Sequence, residues 1–170
     1  MKNNRSLTES LEDYLEVILE LERENKVARV KDIAEKLNIQ RGSVTGALKL
    51  LDKKGLINYK PYSYITLTVD GIKIAKKITR RHIILKDFLQ RIINLEPEKA
   101  EITACRMEHT VDDQSMDKIV QFIEFIDNCP RVGDEWINAF NTFCSTEKHE
   151  WEKCNKCIIE CKANHEKNKF

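Results

Sequence analysis

The fold is decided by residues 30–51, which read VKDIAEKLNIQRGSVTGALKLL. Apolar residues recur there at helical spacing in two runs separated by a short polar turn at residues 38–40. The positions expected to face inward are Val30, Ile33, Ala34 and Leu37 in the first run, and Val44, Leu48 and Leu51 in the second. The small side chain of Ala34 lets two helices cross closely. The pattern predicts a helix-turn-helix, and the alternative is a plain helical hairpin of a scaffolding module.

Two short strands are expected directly after the second helix. Residues 57–60 and 64–68 are rich in β-branched and aromatic side chains and flank a Pro-Tyr-Ser turn. A hairpin in this place is a wing, so a winged helix-turn-helix DNA-binding domain is predicted over residues 1–72. The residues expected to face DNA are Gln40, Arg41, Ser43, Thr45, Gly46, Lys49 and Lys60.

The rest of the predicted elements are helical. Helices are expected over residues 7–24, 70–94 and 116–127, and another is expected to begin at Pro97. The apolar stripes of the later helices suit a dimer interface better than a small-molecule pocket. We therefore predict a mostly α protein with a helical metal-binding and dimerisation domain over residues 73–127 and a Cys-rich segment over residues 128–170.

Charge is distributed unevenly along a chain whose net charge is only +1. Residues 41–60 carry five basic side chains and one acidic, and residues 73–91 carry seven and one, whereas residues 96–127 are acidic. This fits one surface for phosphates and another for cations. No apolar run reaches transmembrane length and no apolar signal core follows MKNNR at the N-terminus, so we expect a cytoplasmic protein without a membrane partner.

Residues 104–109, ACRMEH, carry the most specific metal-binding pattern. On a helix, Cys105, Glu108 and His109 fall at positions i, i+3 and i+4 and share one face. A thiolate, a carboxylate and an imidazole together suit a late first-row divalent ion such as iron, cobalt, nickel or zinc. The alternative is a buried Cys beside a surface ion pair.

The C-terminal segment contains five of the six cysteines of the chain, namely Cys129, Cys144, Cys154, Cys157 and Cys161. In a reducing compartment, cysteines are more often metal ligands or free thiols than disulfides. The last three lie within eight residues, and one of the first two could complete a four-thiolate site. We expect Zn(II) or an iron–sulfur cluster here, and reduced structural thiols are the alternative.

The order of these features resembles the diphtheria-toxin-repressor family of metal-dependent transcriptional regulators, of the iron-dependent repressor and manganese-transport regulator type. The resemblance covers residues 7–127 and is most specific at ACRMEH. It implies a homodimer that binds a palindromic operator in double-stranded DNA with Fe(II) or Mn(II) as co-repressor. It also implies control of metal-homeostasis genes.

Carried over residue by residue, the resemblance makes a metal site of Asp13, Glu16, His82, Cys105, Glu108 and His109. Asp13 is as in the manganese-sensing branch and Cys105 as in the iron-sensing branch. A thiolate in place of a carboxylate shifts the preference from Mn(II) toward Fe(II). Lys86 and Glu101 stand where iron-type members have a carboxylate and a His of an ancillary site, so that site is not carried over in its iron-type form.

Three other classes of function fit the sequence less well. A redox or iron–sulfur-sensing winged-helix regulator, with the tail cysteines as its effector site, is the main alternative. A winged-helix architectural module without an effector is a more distant one. An enzyme is not expected, because no Ser/His/Asp or acid–base constellation occurs and the proposed ligands bridge two domains instead of lining a pocket.

Overall fold

The computed structural model describes residues 7–60, 63–129 and 134–145. Its helices α1 to α7 span Glu9–Asn25, Val30–Lys36, Arg41–Lys53, Val69–Asp87, Pro97–Glu108, Asp113–Asn128 and Asp134–Ser145. The strands β1 and β2, at Ile57–Asn58 and Thr66–Leu67, pair antiparallel with Ile57 opposite Leu67. The predicted mostly α class with a winged helix-turn-helix is confirmed.

Helices α2 and α3 form the helix-turn-helix. Ile33 on α2 and Val44, Leu48 and Leu51 on α3 are fully buried, as the apolar spacing predicted. Asn38 in the turn has a φ of +53°, a left-handed conformation that Asn tolerates better than most residues. These side chains share one hydrophobic core with the apolar stripe of α1 and the inner side of the wing.

The wing is shorter than predicted but is tied down at both ends. An isolated antiparallel bridge joins Ala28, in the segment before α2, to Ile65, directly before β2. At its root, a Cβ on Gly71 would lie 1.9 Å from the carbonyl oxygen of Leu56, so only glycine allows α4 to start this close. The hydroxyl of Thr68 caps α4 by accepting from the Gly71 N–H at 3.1 Å.

Helix α4 connects two hydrophobic cores. Ala75 near its start belongs to the first core, and Leu85 near its end belongs to a second one with Leu89, Ala100, Ala104 and Met116. The helix was expected to run regularly to residue 94. It instead ends at Asp87 and continues as a π-helical turn over Phe88–Ile92.

The chain divides into two compact units, Met1–Phe122 and Ile123–Phe170. The second unit holds the end of α6 and helix α7, where Trp136 stacks on Phe140 with ring centroids 6.2 Å apart. Helix α7 lies in the Cys-rich segment, for which no secondary structure is predicted from the sequence. The domain boundaries at residues 72 and 127 stay predictions. Across the described ranges, no helix has both the length and the apolarity needed to cross a membrane.

Candidate metal centre

Three helices of the first unit bring all six predicted metal ligands together. Helix α1 supplies Asp13 and Glu16, one turn apart, and α4 supplies His82. The last turn of α5 and its C-cap supply the other ligands, Cys105, Glu108 and His109. Donor atoms of Cys105, Glu108 and His109 lie within 4.8 Å of one another, and so do those of Asp13, Glu16 and Glu108.

Glu108 is the centre of this cluster, because it belongs to both sets of donors. Its side chain is 1% exposed. One carboxylate oxygen, Oε2, lies 2.7 Å from Nδ1 of His82, and the other, Oε1, lies 3.2 Å from Nε2 of His109. A carboxylate oxygen of Glu16 also lies within 4.8 Å of one of Glu108. Two carboxylates this close repel each other, and a proton on one of them relieves the repulsion.

The cluster retains protons that a cation would displace. Burial, followed by the negative charge of Glu16, raises the pKa of Glu108 to about 9. Partial burial, followed by the charge of Glu108, raises the pKa of Cys105 to about 11, although the residue as a whole is exposed. Burial also raises the pKa of Glu16. Like charges about 4 Å apart repel by roughly 4 kcal/mol at an effective dielectric constant of about 20, so these groups cannot all ionise without a compensating positive charge.

His109 has an inner nitrogen without a hydrogen-bond partner. Its side chain is 5% exposed, and its Nδ1 lies 2.8 Å from Oε2 of Glu12. The buried Nε2 lies 3.0 Å from Oδ1 of Asp13, yet no hydrogen bond of acceptable geometry forms there. When Nδ1–H donates to Glu12, the lone pair is on Nε2 and faces the other donors. This unpartnered nitrogen, with a thiol and three carboxyl groups beside it, fits a divalent metal ion.

Two further residues shape this site, and no pattern in the sequence marks them as part of it. Glu12 orients His109 from 97 positions away, so no local spacing shows the pair. The other is Arg81, whose Nη1 donates to the carbonyl oxygen of Glu108 at 3.1 Å while its Nη2 donates to Asp113. Arg81 therefore holds the turn between α5 and α6, where two of the proposed ligands lie. The signal in the sequence was only its membership of a basic stretch.

The predicted DNA-facing residues lie along α3 and the wing. Exposed residues among them are Gln40, Arg41, Ser43, Gly46, Lys49 and Lys60. Thr45 is half-buried and donates its hydroxyl to the carbonyl oxygen of Arg41 at 3.1 Å, so it is less available than predicted. A Cβ at Gly46 would meet no protein atom within 4 Å, so packing within the chain does not require a glycine there.

The Cys-rich segment is described only in part. Cys129 is half-buried and follows α6, and Cys144 is exposed on α7. Cys154, Cys157 and Cys161 lie outside the described residues. A metal centre of these three cysteines, with Cys129 or Cys144 as a fourth ligand, therefore stays a prediction.

Comparisons with known proteins agree with this architecture. The family profile "Iron dependent repressor, N-terminal DNA binding domain" matches residues 6–65, and "Iron dependent repressor, metal binding and dimerisation domain" matches residues 68–137. An uncharacterized HTH-type transcriptional regulator of Methanocaldococcus jannaschii is 37% identical over 119 residues, covering 69% of this chain and 95% of the relative.

A curated bacterial relative and a solved structure extend the likeness. The HTH-type transcriptional regulator MntR of Lysinibacillus sphaericus is 35% identical over 125 residues, covering 74% of this chain and 89% of that protein. The structure of the manganese regulator SloR matches with a TM-score of 0.63 and 28% identity, covering 74% of this chain and 58% of the longer SloR chain. At the family level, these matches indicate transcription regulators, not enzymes. The chain therefore belongs to the iron-dependent repressor family of metal-dependent, DNA-binding transcriptional regulators, which is the diphtheria-toxin-repressor family that its sequence resembles.

Proposed function

We propose that this chain is a cytoplasmic homodimeric repressor that binds a palindromic DNA operator when Fe(II), or less favourably Mn(II), is held by the cluster around Glu108. The observation that carries the proposal is the convergence of five donor side chains from α1, α4 and the end of α5 on a sixth, the buried carboxylate of Glu108. The basic and exposed face of α3 supplies the surface for DNA. The comparisons give no support to a redox or iron–sulfur sensor.

The donor set favours iron over manganese. The proposed ligands are two imidazoles, three carboxylates and the thiolate of Cys105. Mn(II) prefers oxygen donors, whereas a thiolate and imidazoles suit Fe(II), which also lies above Mn(II) in the general order of affinity. When bound, the ion supplies positive charge that offsets the clustered carboxylates and links the three helices.

Helix α1 can transmit the state of this cluster to the DNA-binding surface. Its first half carries Asp13 and Glu16. Along its second half, Nζ of Lys36 on α2 lies 2.6 Å from Glu20 and 3.0 Å from Glu24. These exposed ion pairs accompany the apolar core that α1 shares with the helix-turn-helix, and burial in that core fixes the two to each other.

The same half of α1 also holds the wing. The N–H of Leu67 on β2 donates to Oε1 of Glu22 at 3.0 Å. Because α1 is fastened to both DNA-reading elements, its position against α4 and α5 sets the position of the reading surface. Metal favours the DNA-competent arrangement only by binding it more tightly than the alternatives. In a dimer, two α3 helices about one turn of DNA apart would then read a palindrome.

DNA binding measured without oxygen tests this function. Fluorescence anisotropy with a palindromic operator, selected from random sequence by the metal-loaded protein, should show tight binding with Fe(II), weaker binding with Mn(II), and only salt-sensitive weak binding with chelator. Asp13→Asn removes one proposed ligand and should reduce the response to metal. Asp117→Asn, at an exposed position of α6, is the matched control. Equal affinity for the operator with and without metal would contradict the proposal.

We also propose a second, separate metal centre in the Cys-rich segment, with Zn(II) favoured over an iron–sulfur cluster. The support is the spacing of Cys154, Cys157 and Cys161, with Cys129 or Cys144 as a fourth thiolate. A double variant with Cys154→Ser and Cys157→Ser should lose one equivalent of metal and keep metal-dependent DNA binding. Unchanged metal content would show that these cysteines are ordinary thiols.

A further inference from the structure

Three side chains, His82, Glu101 and Lys86, form a line of contacts that leads from Glu108 to the surface. The inner nitrogen of His82, Nδ1, lies 2.7 Å from Oε2 of Glu108. The outer nitrogen, Nε2, lies 3.0 Å from Oε1 of Glu101 on α5. The second oxygen of Glu101, Oε2, lies 2.6 Å from Nζ of Lys86, one turn after His82 on α4.

The charges in this chain determine which nitrogen of His82 carries the proton. Glu101 is half-exposed to water and its Oε2 lies 2.6 Å from the Lys86 ammonium, so it is the carboxylate of an ion pair. An ionised carboxylate only accepts hydrogen bonds, so Nε2 of His82 must donate to it. In a neutral imidazole the lone pair is then on Nδ1, which faces Glu108.

We propose that Lys86 and Glu101 are positioning residues that hold His82 in the Nε2–H tautomer and so present Nδ1 to the metal ion. The proposal rests on the proposed function, in which His82 is a ligand. A carboxylate that accepts the second N–H of a metal-binding imidazole fixes the ring and makes its other nitrogen a better ligand. Here a lysine in turn fixes the carboxylate.

An ordinary surface ion pair would have different consequences. The side chains of Glu101 and Lys86 are 50% and 39% exposed, and pairs of this kind contribute about 0–1 kcal/mol to stability. Variants of either residue should therefore fold, which melting curves of the metal-free proteins would show. A pair with only this role would leave both the tautomer of His82 and the affinity for metal unchanged.

The tautomer of His82 can be measured in the metal-free protein. In the full-length metal-free protein, long-range ¹H–¹⁵N NMR of the histidine rings should show the His82 proton on Nε2. Glu101→Leu should shift the population toward Nδ1–H, and Lys86→Met should shift it less. Glu98→Leu, an exposed position in the first turn of the same helix, should change nothing. A His82 proton on Nδ1 in the wild type, or no change in Glu101→Leu, would overturn the proposal.

Metal affinity separates this proposal from the proposed function. Titration with Co(II), followed by its absorption spectrum, should show about tenfold weaker binding by Glu101→Leu and no change in Glu98→Leu. His82→Ala should weaken binding by at least as much. If His82→Ala weakens binding and Glu101→Leu does not, the positioning role is wrong and the ligand set stands. If His82→Ala binds as tightly as the wild type, the ligand set itself is wrong and the positioning role falls with it.

Discussion

The helix-turn-helix with its wing, here called the DNA-reading part, and the group of proposed metal ligands around Glu108 have opposite kinds of interior. Around α2 and α3, the interior is apolar, and Ile33, Leu48 and Leu51 are completely buried. At the junction of α1, α4 and α5, the buried residues include an acid, Glu108, whose side chain is 1% exposed and lies among other acids. Of the described Asp, Glu, Lys and Arg residues, it alone is buried.

The difference implies that the DNA-reading part is stable without metal, whereas the arrangement of the proposed ligands depends on it. Burying apolar surface stabilises the reading part by about 25 cal/mol per Å², whatever is bound elsewhere. Burying carboxyl groups beside one another costs free energy until protons or a cation compensate their charge. The reading surface should therefore be preformed, and its placement should depend on metal.

The largest expected effect is loss of the apolar core. Leu48→Ala should lower the free energy of unfolding by about 2–5 kcal/mol, because it leaves a cavity among fully buried side chains. Chemical denaturation of the metal-free protein measures this. Leu50→Ala, two positions along the same helix where the side chain is 44% exposed, is the control and should change stability little. Similar losses in both variants would show that α3 is not packed as described.

Glu108→Gln should weaken metal binding strongly while leaving the stability of the metal-free protein intact. Without the central carboxylate, affinity for Fe(II) or Co(II) should fall by about 100-fold or more, since even outer-shell changes cost 10–100-fold. Stability of the metal-free protein should not fall, because the folded pKa of Glu108, about 9, lies above its ordinary value of 4.5.

The sign of that pKa shift gives a second readout of the same variant. A raised pKa means that the contribution of Glu108 is most favourable below pH 4.5 and is lost as the pH rises toward about 9. Denaturation midpoints of the metal-free wild type should therefore decline across this range, and those of Glu108→Gln should decline less. Parallel curves for the two proteins would contradict the buried, protonated state of Glu108.

Replacing the Cys105 thiolate should change which metal ion the site prefers. Cys105→Glu should move the preference from Fe(II) toward Mn(II) by about tenfold, because a hard oxygen donor replaces a soft sulfur donor. Competition titrations measure the ratio of the two affinities. Cobalt-loaded wild type should show a sulfur-to-metal charge-transfer band that Cys105→Glu lacks. If the band disappears only when the C-terminal cysteines are changed, Cys105 is not a ligand.

The smallest effect is expected on the DNA-facing side of α3. Gly46→Ala should raise the free energy of unfolding by about 0.5–1 kcal/mol, because alanine favours a helix interior and meets no protein atom there. The same change should weaken operator binding, because the added methyl group stands between the helix backbone and DNA. A more stable variant with unchanged DNA affinity would remove Gly46 from the proposed interface.

Local patterns in the sequence predicted the reading part well. Helices α2 and α3 and the wing follow from apolar spacing over a few residues, because each inward position packs into one shared core. The π-helical turn at Phe88–Ile92 was missed, since its residues keep a helical apolar spacing and only a change of hydrogen bonding marks it.

The sequence predicts the six proposed metal ligands but not the residues that hold them in place. The proposed ligands came from the spacing of Cys105, Glu108 and His109 and from the family resemblance. Glu12 pairs with a residue 97 positions away and Glu101 with one 19 positions away, so neither contact leaves a local pattern. Such pairings depend on how the helices pack, which periodicity along one helix does not determine.

Hydrogen exchange with and without metal tests the central claim most directly. Adding Fe(II) without oxygen should increase protection of amides in the first half of α1 and in the turn after α5, where the proposed ligands lie. Amides in the core of α2 and α3 should already be protected in the metal-free protein and should gain much less. Glu108→Gln should show neither change. Protection that rises most in α2 and α3, with α1 unaffected, would contradict a preformed reading surface placed by a metal-dependent junction.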